Sequence, residues 1–173
     1  MIYTIGHSTQ SAEDFAALLT VHGIGQVADV RTMPKSRRHP QFGREALEGF
    51  LARHGIAYRH FPALGGLRNP RRNSMNTAWQ HPGFRGYADY MQTEAFSHGL
   101  DELLTFAQER EVQTAVMCAE AKWWQCHRRL LSDALLVRHV PVRHIISSAP
   151  AKPHELTEFA RLEHGKVIYP GLL

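Results

Sequence analysis

Two hydrophobic periods alternate along the chain. Short apolar runs at residues 2–5, 26–30, 56–61, 112–117 and 142–146 read as strands buried on both faces. Between them, apolar residues recur three and four positions apart, the spacing of one helix face. Residues 11–22 put Phe15, Leu18, Leu19 and His22 on such a face, with Ser11 placed to cap and Gly23 to stop the helix. Residues 44–54 turn Leu47, Phe50 and Leu51 inward and end at Gly55. Further helices are predicted over 84–92, 96–110 and 124–138, and a short terminal one over 156–162. Residues 68–83 hold Asn, Pro, Arg, Ser and Gly without a period, which predicts a long loop.

Strand and helix alternate almost throughout. That pattern predicts an α/β fold: a three-layer, mostly parallel five-stranded sheet with helices on both faces, Rossmann-like or flavodoxin-like. The chain reads as a single domain over 1–173, carrying a long basic and aromatic loop at 68–85. The order of strands is not legible in the pattern.

Composition narrows this picture. The 173 residues are 43% hydrophobic, enough for one core. No apolar run approaches the roughly 20 residues that a membrane span needs. The segment Met1-Ile2-Tyr3-Thr4-Ile5 reads as a strand rather than a signal peptide. With only Cys118 and Cys126, a reducing, cytoplasmic setting is expected. Charge is uneven. Residues 31–85 hold eleven Lys or Arg against Glu45 and Glu48, a net +9, while the rest of the chain carries −5. A basic face of this kind suits a phosphate-bearing ligand or a nucleic acid.

Open parallel sheets bind ligands outside the carboxyl ends of their strands. The polar clusters of this chain all follow predicted strands. His7 and Ser8 follow the first, and Arg31, Lys35, Ser36, Arg37 and Arg38 the second. Gly65 and Gly66 follow the third, and Cys118 and Glu120 the fourth. One anion-binding site on the carboxyl edge is therefore expected.

The set Tyr3-Thr4-Ile5-Gly6-His7-Ser8, Asp29-Val30-Arg31 with Pro34 and Ser36, Leu64-Gly65-Gly66, Cys118-Ala119-Glu120 and Cys126-His127-Arg128 resembles the domain-of-unknown-function 488 family. The resemblance runs from residue 2 to about residue 146. It implies the same fold and a site at these motifs, and it implies no reaction.

Each motif has a chemical and a structural reading. Cys118 and Glu120 close a strand, and with His7 they are the candidate catalytic groups: thiol, carboxylate and proton carrier. Cys126, His127 and Arg128 fall at a predicted helix start, where unpaired N–H groups favour an anion, a lowered thiol pKa and an arginine clamp. With Ser8, Arg31, Ser36, Arg37, Gly65 and Gly66 they make the expected anion-binding set. The opposing reading takes the cysteines as small core residues, Glu120 as an ion-pair partner and Asp29 as a buried mate for an arginine. Cys118 and Cys126 have seven residues between them, unlike a C-x-x-C redox pair. Zinc on Cys118, Cys126 and His127 is disfavoured as well, because neighbours on a helix point about 100° apart. No metal and no other cofactor is expected.

In the loop, Arg71, Arg72 and Arg85 interleave with Trp79, Phe84 and Tyr87. That mixture suits nucleic acid through phosphate contact and base stacking, or else an aromatic anchor with solvated arginines. Two functions stay open: an enzyme acting on a nucleotide or a nucleic-acid base, and a non-catalytic module that binds nucleic acid or another anion.

Overall fold

The computed structural model describes residues 1–171. Strands β1 (Ile2–Gly6), β2 (Ile24–Asp29), β3 (Ala57–His60), β4 (Gln113–Cys118) and β5 (Val142–His144) pair in parallel. A short antiparallel β6 (Lys152–Pro153) adds to β5, so the sheet has six strands in the order β3-β2-β4-β1-β5-β6. The architecture is mixed α/β in three layers, as the alternation predicted. The sixth strand was not foreseen, because two exposed residues carry no pattern. The strand orders of Rossmann-like and flavodoxin-like sheets do not appear either. Both pair β1 with β2, whereas here β4 enters between them.

Helices α1 (Ala12–Val21) and α2 (Arg44–Arg53) cover one face, and α3 (Pro82–Tyr90), α4 (Glu94–Gln108) and α5 (Arg128–Val137) the other. Two buried clusters follow from this. One joins Phe15, Leu19, Leu47 and Leu51 to Ile5, Val27, Ala115 and Met117. The other joins Tyr87, Leu100, Leu103, Leu130 and Leu131 to Ile2, Ala28, Val30, Val116 and Val142. Alternate residues of β2 and β4 thus face opposite layers, which is why those strands are apolar without a break.

The terminal helix expected over 156–162 is absent. Strands β7 (Arg161–Glu163) and β8 (Lys166–Ile168) form a hairpin instead. His164 and Gly165 both have positive φ, 49° and 75°, the two-residue turn whose twist matches its strands. Its inner residue Val167 joins the α3–α5 cluster beside Ala160 and Tyr169. No described helix is long and apolar enough to cross a membrane.

Candidate functional site

β1 and β4 are paired to their last residues, Gly6 opposite Cys118. The pairing continues past the strands: His7 N–H donates to the Cys118 carbonyl at 3.0 Å and Ser8 N–H to that of Ala119 at 2.9 Å. The first and fourth motifs are therefore bonded to one another. Gly6 permits it, since a Cβ there would lie 1.9 Å from the Glu120 carbonyl oxygen. Ser8 sits in the left-handed region at φ 49°. That conformation costs a non-glycine residue about 1 kcal/mol or more, and it is held here by the bonded loops.

A cleft of about 880 Å³ opens on this edge. Its lining includes His7, Ser8, Arg31, Ser36, Arg37, Gly66, Cys118, Glu120, Cys126 and His127 of the sequence-derived set. Gly65 and Arg128 lie behind it. Gly65 lets Thr32 approach, with its Oγ1 2.6 Å from where a Cβ would stand, and Gly66 does the same for the His127 ring at 2.5 Å. The sequence reading missed Thr32, His39, Leu67, His81 and Gln125 in the lining. Thr32, His39 and Leu67 stand inside or beside the clusters after β2 and β3, and Gln125 precedes Cys126, but none has a chemical signature of its own; His81 lies in the long loop, away from every strand end.

The two inner arginines are committed to the protein. Arg31 Nε and Nη2 donate to the Asp29 carboxylate at 2.9 and 2.6 Å, and Nη1 donates to the Phe42 carbonyl at 2.8 Å. Asp29 also accepts from Tyr58 Oη at 2.6 Å. This is the buried-partner reading of Asp29, and it orders the start of the β2 loop. Arg128 is 1% exposed. Its Nε donates to Cys126 Sγ at 3.3 Å and its Nη2 to the carbonyl of Glu120. It ties the turn after β4 to the start of α5.

The outer cations stay free. Lys35, Arg37 and Arg38 are exposed at the rim and form no ion pair among the described residues. Ser36 Oγ accepts from the His39 N–H at 2.9 Å and shapes that loop. Met33 and Leu67, 69% and 73% exposed, stand in the same cleft. The Glu120 carboxylate is exposed there and accepts from the Lys122 N–H at 3.0 Å.

The helix predicted from residue 124 starts only at Arg128. Trp123–Gln125 make one 3₁₀ turn, and Cys126 is extended at φ −124°, ψ 150°. Cys126 and His127 consequently converge: Sγ and Nδ1 are 3.6 Å apart. His127 Nε2 donates to the Val30 carbonyl at 3.1 Å, which leaves Nδ1 bare in the neutral ring. The Cys118 thiol completes the group, and the three donor atoms lie within 4.8 Å of one another. Hydrogen bonding from Cys118 pulls the Cys126 thiol well below its ordinary pKa, helped by His127 and Arg128 against the effect of burial. The same bond, with burial, pushes Cys118 well up.

The loop residues fall elsewhere. Trp79 is buried against Phe84, Phe159 and Tyr169, with the Arg129 guanidinium 5.0 Å from its ring. Arg85 Nε donates to the Trp79 carbonyl at 3.0 Å. Arg71 and Arg72 are exposed, and Arg71 borders a smaller cavity with Asp89 and Lys166. The aromatics of this loop anchor it, and only Phe84 reaches the cleft.

His7 is stacked on Phe42 at 4.1 Å, and both its ring nitrogens are engaged. Nδ1 donates to the Ser8 carbonyl at 2.9 Å, and Nε2 accepts from Arg31 Nη1 at 3.3 Å. Burial, reinforced by Arg31, lowers its pKa to about 4, and burial with His154 and Arg128 lowers that of His144 to about 3. Both rings are neutral in the folded chain at neutral pH. An unfolded imidazole takes up its proton below about 6.5, before the folded ones do. Stability is thus complete above about pH 6.5 and is lost as the pH falls from there through 4 and then 3, at no more than about 1.4 kcal/mol per pH unit for each ring. Urea midpoints should drop steadily across this window. The imidazoles of His7 and His144 should show no NMR titration above about pH 5 in the folded protein.

The family model described as "Domain of unknown function DUF488" matches residues 11–135. No curated protein and no solved structure matches the chain.

Proposed function

The chain belongs to the family Domain of unknown function DUF488, and on that premise we propose that its cleft binds a nucleotide, free or as a unit of nucleic acid, and acts on it as an enzyme. One observation carries this reading. Three unpaired cations, Lys35, Arg37 and Arg38, share a cleft with the exposed apolar side chains Met33 and Leu67 and with Phe84. Such a wall suits a ligand with an anionic end and a flat apolar one. The volume of about 880 Å³ is ample for a nucleotide.

Arg31 and Arg128 take no direct part, because their donors already serve Asp29, Cys126 and backbone carbonyls. They hold the loops that carry the outer cations and Glu120. The Glu120 carboxylate is the general base or ligand clamp of the site, and His7 positions Arg31 rather than moving protons. Trp79, packed in the core, leaves base stacking to Phe84.

Equilibrium binding of nucleoside monophosphates and of a single-stranded oligonucleotide, at several salt concentrations, tests the proposal. Arg37→Ala/Arg38→Ala should weaken binding at least about tenfold and flatten its salt dependence. Glu120→Gln should bind as the wild type does and lose turnover. Absence of binding at low salt would sink the reading. Salt-sensitive binding with no turnover of any tested ligand by the wild type would leave a binding module in place of the enzyme.

A further inference from the structure

We propose that Cys118, Cys126 and His127 form a zinc site on the wall of the cleft, with the fourth coordination position open to it. This goes beyond nucleotide binding and stands or falls separately from it. Sulfur at about 2.3 Å and nitrogen at about 2.0 Å on a tetrahedral zinc ion lie about 3.6 Å from each other. Cys126 Sγ and His127 Nδ1 are 3.6 Å apart. The Cys118 sulfur is within 4.8 Å of both, so a small movement closes the third contact.

The surroundings are those a metal-binding imidazole requires. A zinc-bound histidine nearly always donates its other N–H to a carbonyl or carboxylate, which fixes the ring. His127 Nε2 donates to the Val30 carbonyl, and the bare Nδ1 faces the two sulfurs. Arg128 Nε donates to Cys126 Sγ, a bond that stabilises a thiolate. Two thiolates balance the charge of the ion beside this buried guanidinium. Gly66 keeps the space open, because a Cβ there would stand 2.5 Å from His127 Nδ1. The helical geometry that argued against Cys126 and His127 as joint ligands does not arise, since Cys126 is extended and the helix starts after both.

All three donors line the cleft, so the remaining position faces it. A water there would ionise near neutral pH, as in open zinc sites generally. Closed structural sites use four protein ligands; the cluster here has three.

The full chain, reduced and stripped with a chelator, is titrated with cobalt(II) alone and then with zinc in competition. The expected result is one cobalt per chain, with a thiolate-to-metal charge-transfer band and the intense visible bands of a tetrahedral ion, all displaced by zinc. Cys118→Ser, Cys126→Ser and His127→Gln should each weaken zinc at least about 100-fold. Gly66→Ala keeps every donor and should weaken zinc about tenfold by crowding Nδ1, which guards against a cysteine variant that fails to fold. A folded chain with two free thiols and no charge-transfer band at saturating cobalt overturns the site. Unchanged zinc affinity in His127→Gln and Gly66→Ala overturns it too.

Discussion

Replacing Asp133 by leucine is expected to cost on the order of 4 kcal/mol and to release the segment after β5 from the body. Asp133 is fully buried on α5 among Leu130, Leu131, Ala134 and Leu135. One oxygen accepts from His154 Nε2 at 2.8 Å and from the Thr157 N–H at 3.0 Å, and the other accepts from Tyr169 Oη at 2.8 Å. The proton order along this chain follows from the carboxylate. With His154 Nε2 donating, its Nδ1 accepts from His144 Nε2 at 2.9 Å, and His144 Nδ1 then accepts from Thr4 Oγ1 at 2.7 Å. His144 is neutral in it, its pKa lowered by burial and by His154 and Arg128. Leucine fills the volume but strands three buried donors, each worth about 1–3 kcal/mol. Asparagine is the control. Its carbonyl oxygen can serve His154 and Thr157 while the Tyr169 hydroxyl turns to accept from the amide, so Asp133→Asn should lose less than half as much. Thermal melting should show a drop on the order of 10 °C for the leucine variant. Limited proteolysis should cut it first between residues 147 and 171. Equal losses in the two variants would mean that packing, not the carboxylate, holds this segment.

Asp133 also marks how far the sequence could be read. A lone carboxylate on an apolar helix stripe is visible in the pattern, but its partners His154, Thr157 and Tyr169 are separated from it by up to 36 residues and share no spacing rule. The layers, the five parallel strands and the convergence of His7, Arg31, Gly66 and Cys118 on one edge were legible, because strand period and the α/β rule are local signals. The strand order was not, because nothing local says that β4 separates β1 from β2. The start of α5 was misplaced by four residues. Trp123 stacks on His144 at 3.9 Å, and this tertiary contact accompanies a 3₁₀ turn where the periodicity continued a helix. That shift matters most for function, since it lets Cys126 and His127 face each other. For the long loop the sequence leaves two readings open, one stacking surface or an aromatic anchor with solvated arginines. The structure divides aromatics from arginines, with Trp79 in the core and Arg71 and Arg72 in solvent.

Gly6→Ala should be the most damaging single-methyl substitution among the glycines of the sheet. The added Cβ would meet the Glu120 carbonyl oxygen at 1.9 Å, its carbon at 2.6 Å and Ala121 Cα at 2.9 Å, all of them backbone. No side chain can rotate away, so the turn after β4 has to move. That turn is held by Arg128, which also donates to Cys126 Sγ, and by the His7 and Ser8 N–H groups. Displacing it therefore strains the sheet and pulls the Arg128 donor from the thiol at once. Overpacking a rigid interior costs about 1–3 kcal/mol, and the upper end or more applies where only backbone can yield. Gly25→Ala is the contrast. Its Cβ would meet Val112 Cβ at 2.6 Å and both its methyls at 2.9 Å, but Val112 stands just before β4 and is 37% exposed, so its short loop can shift. Gly6→Ala should lose about 3 kcal/mol or more in urea unfolding and lower the reactivity of Cys126 toward a thiol reagent in the folded state, because its thiolate loses the Arg128 donor, while Gly25→Ala loses about 1 kcal/mol and leaves the thiol unchanged. Matching losses in the two variants, with Cys126 reactivity unchanged in both, would show that the first and fourth motifs are not rigidly joined.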